Sequence, residues 1–344
     1  MVLHGEALAP QMADYLELVD RGEWNYLPYL MYYNRTNFRS ASVNTDQFGF
    51  RMSHGADRRA SAGDHQLDEP VRLIVGGSVA FGYGLRNDGA TLASRLWAKH
   101  APARPWLTFA GHCYNATQEL MLYMLYRHMI PPVEEIVIFS GYNTLAMSRL
   151  TDLHLGGQGP FFYCVEYFEK MRELRERNAK PAREQRWRAR AKPKAAPSAT
   201  TKNPTLPELI DSAVEETLRH LDSWQALAAA TGARVTWVMQ PLAPWLRDEP
   251  AAQEKLLFDE NDRLAEYGTW QELYGDISSV AAGDAYAAAM GAACERKGVG
   301  FLDMISRLRA AVSPSDWLYV DRAHFTNEGA DIVAGLLADS LGLS

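Results

Sequence analysis

The 344-residue chain is short of cysteine, of basic charge and of long apolar runs. Its three cysteines, Cys113, Cys164 and Cys294, are odd in number and far apart, which argues against a disulfide framework or a spaced zinc motif and fits a reducing compartment. Basic residues number 35 against 42 acidic, a net charge of −7, so the chain lacks the overall basic surface of a nucleic-acid binder. No stretch approaches the ~18 consecutive apolar residues of a membrane-crossing helix. The first twenty residues hold acidic groups and no apolar core of the kind a secretory signal needs. The expectation is a cytoplasmic protein with neither a membrane nor a nucleic-acid partner. Glycine and proline, at 25 and 17 residues, are too few for a collagen-like or low-complexity chain. What is present is 47% apolar residues and enough length for about two domains, or for one α/β domain with appendages.

Five short apolar, β-rich runs punctuate the sequence: Val71–Val75, Trp106–Ala110, Glu135–Phe139, Arg234–Met239 and Val299–Leu302. Between them, Thr91–Lys99, Thr117–Met129, Leu206–Ala230, Val280–Arg296 and Asn327–Leu341 carry apolar residues at three- and four-residue spacing, the period of a helix with one buried face. Strands alternating with helices predict a parallel sheet covered on both faces, a three-layer α/β/α sandwich. Two regions stand outside that repeat. Residues 1–68, with WNYLPYLMYYNRTNF and VNTDQFGFR, lack a clean period and are expected to wrap the core as an N-terminal appendage to a domain spanning 69–344. An insertion over about 155–207 interrupts the strands. Within it Met171–Lys194 holds ten basic against three acidic residues; taking that surplus of 7 from the net −7 leaves −14 elsewhere. It reads either as a solvated helix running into a Pro/Ala/Ser loop or as a docking patch for an anionic partner.

Chemistry concentrates at three points. In VRLIVGGSVAFGYG a buried-strand pattern ends abruptly at Gly76-Gly77-Ser78, the position where ligands bind in open parallel sheets. Familiar glycine motifs fail there. A P-loop needs Lys-Ser/Thr after its second glycine, whereas Gly82 is followed by Tyr83 and Gly84; the nucleophile elbow needs glycine two residues after the serine, where Ala80 stands. A serine nucleophile requires a base oriented by a third group. Asp321 and His324, three apart and immediately before the last helical pattern, supply such a pair if their segment is a loop or single turn. After the apolar run EEIVIF comes Ser140-Gly141-Tyr142-Asn143. That asparagine can aim its amide at a developing oxyanion, or can simply cap the next helix.

These segments resemble the SGNH (GDSL-like) hydrolase superfamily, over about residues 70–342. The first block is similar at Gly76-Gly77-Ser78, with Gly77 where the family often has aspartate. The third is similar at Gly141-Tyr142-Asn143-Thr144, with Thr144 replacing the usual aspartate, and the last at Asp321-Arg-Ala-His324-Phe-Thr-Asn-Glu-Gly329. The second block, AGHCYNATQEL, departs: Cys113 stands where the family has its oxyanion glycine, and Gly111, two residues upstream, is the fallback. The resemblance implies a flavodoxin-like sheet, with Ser78 as nucleophile, His324 as general base and Asp321 stabilising the imidazolium. The backbone N–H groups of Ser78 and Cys113 and the side chain of Asn143 would hold the oxyanion.

Three activities follow as expectations: a serine esterase acting on a small-molecule or carbohydrate ester, an acyltransferase passing the same acyl group to an alcohol or amine, and a catalytically silent binding protein. No cofactor or metal is implied. Asp152 and His154 have metal-like chemistry but no further ligand at suitable spacing. QPLAPWLRDEP and Phe258–Tyr274, which includes Trp270, follow the fourth strand on the side where a substrate cap would sit, and Trp317 reads as a core anchor.

Overall fold

In the computed structural model two short N-terminal strands, β1 (Ser53–His54) and β2 (Arg59–Ala60), pair as an antiparallel ribbon. The five apolar runs follow as β3 (Val71–Gly76), β4 (Trp106–Ala110), β5 (Val133–Ser140), β6 (Arg234–Met239) and β7 (Gly300–Asp303). The structure describes residues 4–19, 26, 27, 29–150, 162, 165–178 and 204–343. All four strand pairs of the main sheet are parallel, in the order β4-β3-β5-β6-β7. Counted from β3 this is second, first, third, fourth, fifth, the flavodoxin-like order. The three strands β3, β4 and β5 are buried almost throughout, which is why they read as continuous apolar runs rather than alternating ones.

One group of helices, Ala116–Tyr126, Leu206–Ala229 and Val280–Lys297, packs side by side. A second, Leu92–Arg95, Met304–Ala311 and Asn327–Leu341, packs together elsewhere on the sheet. The fold class expected from the sequence, an α/β/α sandwich on a parallel sheet, is the one observed. Local sequence accounts for where the helices begin. Asn115 and Gln118 form a reciprocal capping box at Ala116–Tyr126, and the Thr326 hydroxyl accepts from the Gly329 N–H at 3.1 Å. The pattern Thr91–Lys99 is α-helical only over Leu92–Arg95 and widens into a π turn at Leu96–His100.

The N-terminal residues brace the segment after β3. Tyr15 Oη donates to the carbonyls of Gly82 (3.1 Å) and Leu85 (2.7 Å). Arg51, fully buried, donates to Phe81 O (3.2 Å) and Gly82 O (2.7 Å) and pairs with Asp88 at 2.9 Å. Regular periodicity is weak here because side-chain bonds shape the backbone: Asp46 alone accepts from the N–H groups of Phe48, Phe50 and Gly63 and from the Ser61 hydroxyl. Of the basic stretch only 171–178 falls among the described residues, at the end of the helix Val165–Asn178; Asp152, His154, Cys164 and 179–203 lie outside them.

Candidate active site

The sheet order reverses between β3 and β5, so a crevice opens outside their carboxyl ends, where open α/β sheets bind ligands. Ser78 leaves β3 and Asn143 leaves β5 at that point. A β-carbon on Gly76 would lie 2.3 Å from Phe139 O and 2.7 Å from Ala80 Cβ, so only glycine lets the strand turn directly into the short helix Ser78–Phe81 against β5. Ser78 is the first residue of that helix and is 7% exposed.

His324 Nε2 lies 2.7 Å from Ser78 Oγ, and His324 Nδ1 lies 2.7 Å from Asp321 Oδ2. The three-residue spacing works because Asp321 folds its own loop: Oδ1 accepts from the N–H groups of Ala323 and His324, each at 2.8 Å, leaving Oδ2 for the imidazole. Burial pushes the Asp321 carboxyl upward, but its bonds to His324 and to these two N–H groups outweigh that and hold it below its ordinary range. A carboxylate on Nδ1 sets the tautomer in which Nδ1 carries the proton and Nε2 accepts from the serine hydroxyl.

Further residues, silent in the sequence, fix this loop. Glu254, fully buried, accepts from the N–H groups of Leu318 (2.9 Å) and Tyr319 (3.1 Å). The Tyr83 ring lies 4.6 Å from the His324 ring and 4.8 Å from that of His112. Burial, with His324 adding to it, pushes His112 down to about 3, so its imidazole is neutral. Tyr83 sits in the G-Y-G of the first motif, but no periodicity announces its contact with a histidine 241 residues later in the chain.

The second and third segments meet beside Ser78. Asn143 is the second residue of the helix Tyr142–Ser148, whose N-cap is Gly141, so it does not cap that helix; its Nδ2 donates to Tyr114 O at 2.8 Å. The Thr144 hydroxyl accepts from the Ala116 N–H at 3.1 Å. Cys113 adopts φ +56°, a left-handed conformation that favours glycine and costs a side chain roughly 1–2 kcal/mol. The Gly111 N–H donates to Gly76 O at 3.2 Å, and Gly111 does not line the cleft.

Ser78, Cys113, Asn143, Asp321 and His324 all line one cleft of about 330 Å³. The segment after β6 also lines it, through Asp262, Trp270, Leu273 and Tyr274, as does Phe162. Trp317, half-buried, packs on the core and donates from Nε1 to Tyr319 O at 2.8 Å. Arg322, between the site residues Asp321 and His324, also lines the cleft, donating to Asp262 (2.5 and 3.1 Å) and lying over the Phe258 and Trp270 rings. Among the described residues no group of three or more His, Cys, Asp or Glu side chains could hold a metal ion, and no helix is long and apolar enough to cross a membrane.

No protein-family model matches this chain, and no curated protein matches it. Among solved structures it is similar to a carbohydrate acetylesterase family member from Sinorhizobium meliloti, at 14% identity over 79% of this chain and 97% of that one, with a TM-score of 0.40. It is similar to a GDSL-like lipase from Bacteroides thetaiotaomicron, at 14% identity over 80% and 92%, TM-score 0.39. It is similar also to a lipase/acylhydrolase from Enterococcus faecalis, at 13% identity over 79% and 95%, TM-score 0.35.

Proposed function

We propose that the chain is a serine ester hydrolase working through a Ser78 acyl-enzyme. The observation that carries this reading is the relay from Ser78 Oγ to His324 Nε2 and from His324 Nδ1 to Asp321, each link 2.7 Å, among residues that line the cleft. His324 takes the serine proton as Oγ attacks the acyl carbonyl and returns it to the leaving alcohol, while Asp321 stabilises the imidazolium. The backbone N–H groups of Ser78 and Cys113 and the Asn143 amide hold the tetrahedral oxyanion. In this reading residues 69–344 form the catalytic domain and 1–68 its appendage. The substrate is an ester of a small molecule or carbohydrate.

Incubation with a fluorophosphonate and with short-chain p-nitrophenyl esters tests the proposal. A folded sample is expected to be labelled at Ser78 and to release p-nitrophenol, and Ser78→Ala to do neither. A folded wild-type sample that shows neither label nor turnover overturns it.

The aromatic wall of Phe162, Trp270 and Tyr274 favours a second reading, transfer of the acyl group to an alcohol or amine, since excluding water slows hydrolysis of the intermediate. Product analysis with acceptors present separates the two: free acid alone supports hydrolysis, and an acylated acceptor supports transfer.

A further inference from the structure

Two buried carboxyls take no part in that relay. Glu119, on the helix Ala116–Tyr126, and Glu216, on Leu206–Ala229, are each 2% exposed, and their helices pack against one another. The Ser140 hydroxyl donates to Glu119 Oε1 at 2.7 Å. Ser140 is the last residue of β5, three positions before Asn143, and the helix bearing Glu119 begins three positions after Cys113. The bond therefore ties together the two segments that carry Cys113 and Asn143, two of the three candidate oxyanion donors. Two further ties join the same segments, Asn143 Nδ2 to Tyr114 O and Ala116 N–H to Thr144 Oγ1.

We propose that Glu119 is a positioning residue for the site, fixing through Ser140 the turn that carries Asn143 against the turn that carries Cys113, and that losing its proton releases this arrangement. The inference rests on the esterase reading for its effect on turnover, and on the geometry alone for its effect on the turn. The surroundings make the proton matter. Burial pushes Glu119 up to about 8, with the Ser140 hydrogen bond opposing and Glu216 adding to the rise. Burial likewise pushes Glu216 up to about 8. From the helix Leu206–Ala229 the cluster also faces His220, which burial and Arg219 push down and which meets the Thr117 hydroxyl at 2.8 Å. From Val280–Lys297 it faces Tyr286, pushed up by burial and by both carboxyls, with Cys294 beyond it, also pushed up by burial. Tyr286 in turn donates to Gly141 O at 3.2 Å, the residue that starts the Asn143 helix. A second proton lost from this group leaves buried negative charge beyond what the Ser140 and Thr117 hydroxyls offset, which favours an opening of the 140–144 turn that lets water reach Glu119.

The test compares the full chain with Glu119→Gln, which keeps the acceptor for Ser140 and cannot ionise. In the wild type kcat for a p-nitrophenyl ester is expected to fall about tenfold between pH 7 and pH 9, with KM little changed, as a group titrating near 8 loses its proton. Glu119→Gln is expected to keep turnover at pH 7 within about threefold and to abolish the fall. An unchanged alkaline limb in Glu119→Gln overturns the proposal. Amide hydrogen exchange of the peptide spanning 140–148, corrected for its intrinsic pH dependence and referred to Asn327–Leu341, reads the turn without any activity. Protection there is expected to drop above about pH 8 in the wild type and not in Glu119→Gln. If Ser78 proves inert, this difference still supports the positioning role; equal protection in both proteins overturns it.

Discussion

A β-carbon on Gly77 would lie 2.6 Å from Asn143 Nδ2, an amide already held by Tyr114 O at 2.8 Å. Gly77 has φ −86°, open to any residue, so the restriction is one of space and not of backbone conformation. Where the resembling family often has aspartate, this chain has put the amide of Asn143 itself against the backbone. Gly77→Ala and Gly77→Asp are therefore expected to displace Asn143 and lower kcat by about 10²–10³, the loss that follows removal of one oxyanion donor. Asn143→Ala should match them, and the double variant Gly77→Ala, Asn143→Ala should be no worse than either alone. Full turnover in Gly77→Ala sinks the idea.

Asp321 is divided between two tasks, with Oδ1 closing the turn through two N–H groups and Oδ2 meeting the imidazole. In Asp321→Asn the carbonyl oxygen can serve only one of these. If it keeps the turn, the amide N–H faces Nδ1 and forces the tautomer that leaves Nε2 protonated against Ser78. The expected result is a fall in kcat on the order of 10⁴ with KM little altered. A loss of less than tenfold, with the fold intact by circular dichroism, removes Asp321 from the relay.

Much of this geometry could be read from the sequence, for a physical reason. Strands buried on both faces and long helices with one buried face leave patterns, so β3 to β7 and the helices Leu206–Ala229, Val280–Lys297 and Asn327–Leu341 fall where periodicity puts them. Ser78, Asn143, Asp321 and His324 were legible because each sits at a strand end or a turn with its own local signature. Elements held by side-chain-to-backbone bonds across long separations left no such trace. The helix Ala252–Leu264 owes its position to Glu254, whose partners are at 247, 251, 318 and 319. The π turn at Leu96–His100 lies within an unbroken helical sequence pattern and departs from it in its backbone bonding, where the Ala101 N–H donates to Leu96 O at 2.8 Å. Glu119 reads as an ordinary polar residue after a capping box; only the fold shows it facing Ser140 and not solvent.

The N-terminal residues should be inseparable from the stability of the segment that follows Ser78. Arg51 and Asp88, 0% and 5% exposed, form a pair closed by the carbonyls of Ser42, Phe81 and Gly82. Arg51→Met leaves Asp88 buried without its partner, which costs about 3–5 kcal/mol. Chemical denaturation should show that loss as a lower midpoint. A change below about 1 kcal/mol would mean that the two hydrogen bonds Asp88 already accepts from Asn44, through its N–H and its side chain, are enough to hold the carboxylate.

Stability should also fall as pH rises, through Glu119 and Glu216. Both carboxyls are pushed up to about 8 by burial, from an ordinary value of 4.5 that the unfolded chain recovers. Between those values the folded protein holds more protons than the unfolded one, so the stabilisation is complete below about pH 4.5 and is lost as pH rises toward 8. Each group contributes a slope of about 1.4 kcal/mol per pH unit at most, reduced where the carboxyls relax toward solvent. The cleanest measurement is a difference curve: unfolding free energy of the wild type minus that of the double variant Glu119→Gln, Glu216→Gln, taken from about pH 5 to pH 9. It should decline with rising pH and flatten beyond 8, because the variant carries every other titrating group but not these two. A flat difference would mean that the carboxyls ionise in place, with no cost to the fold.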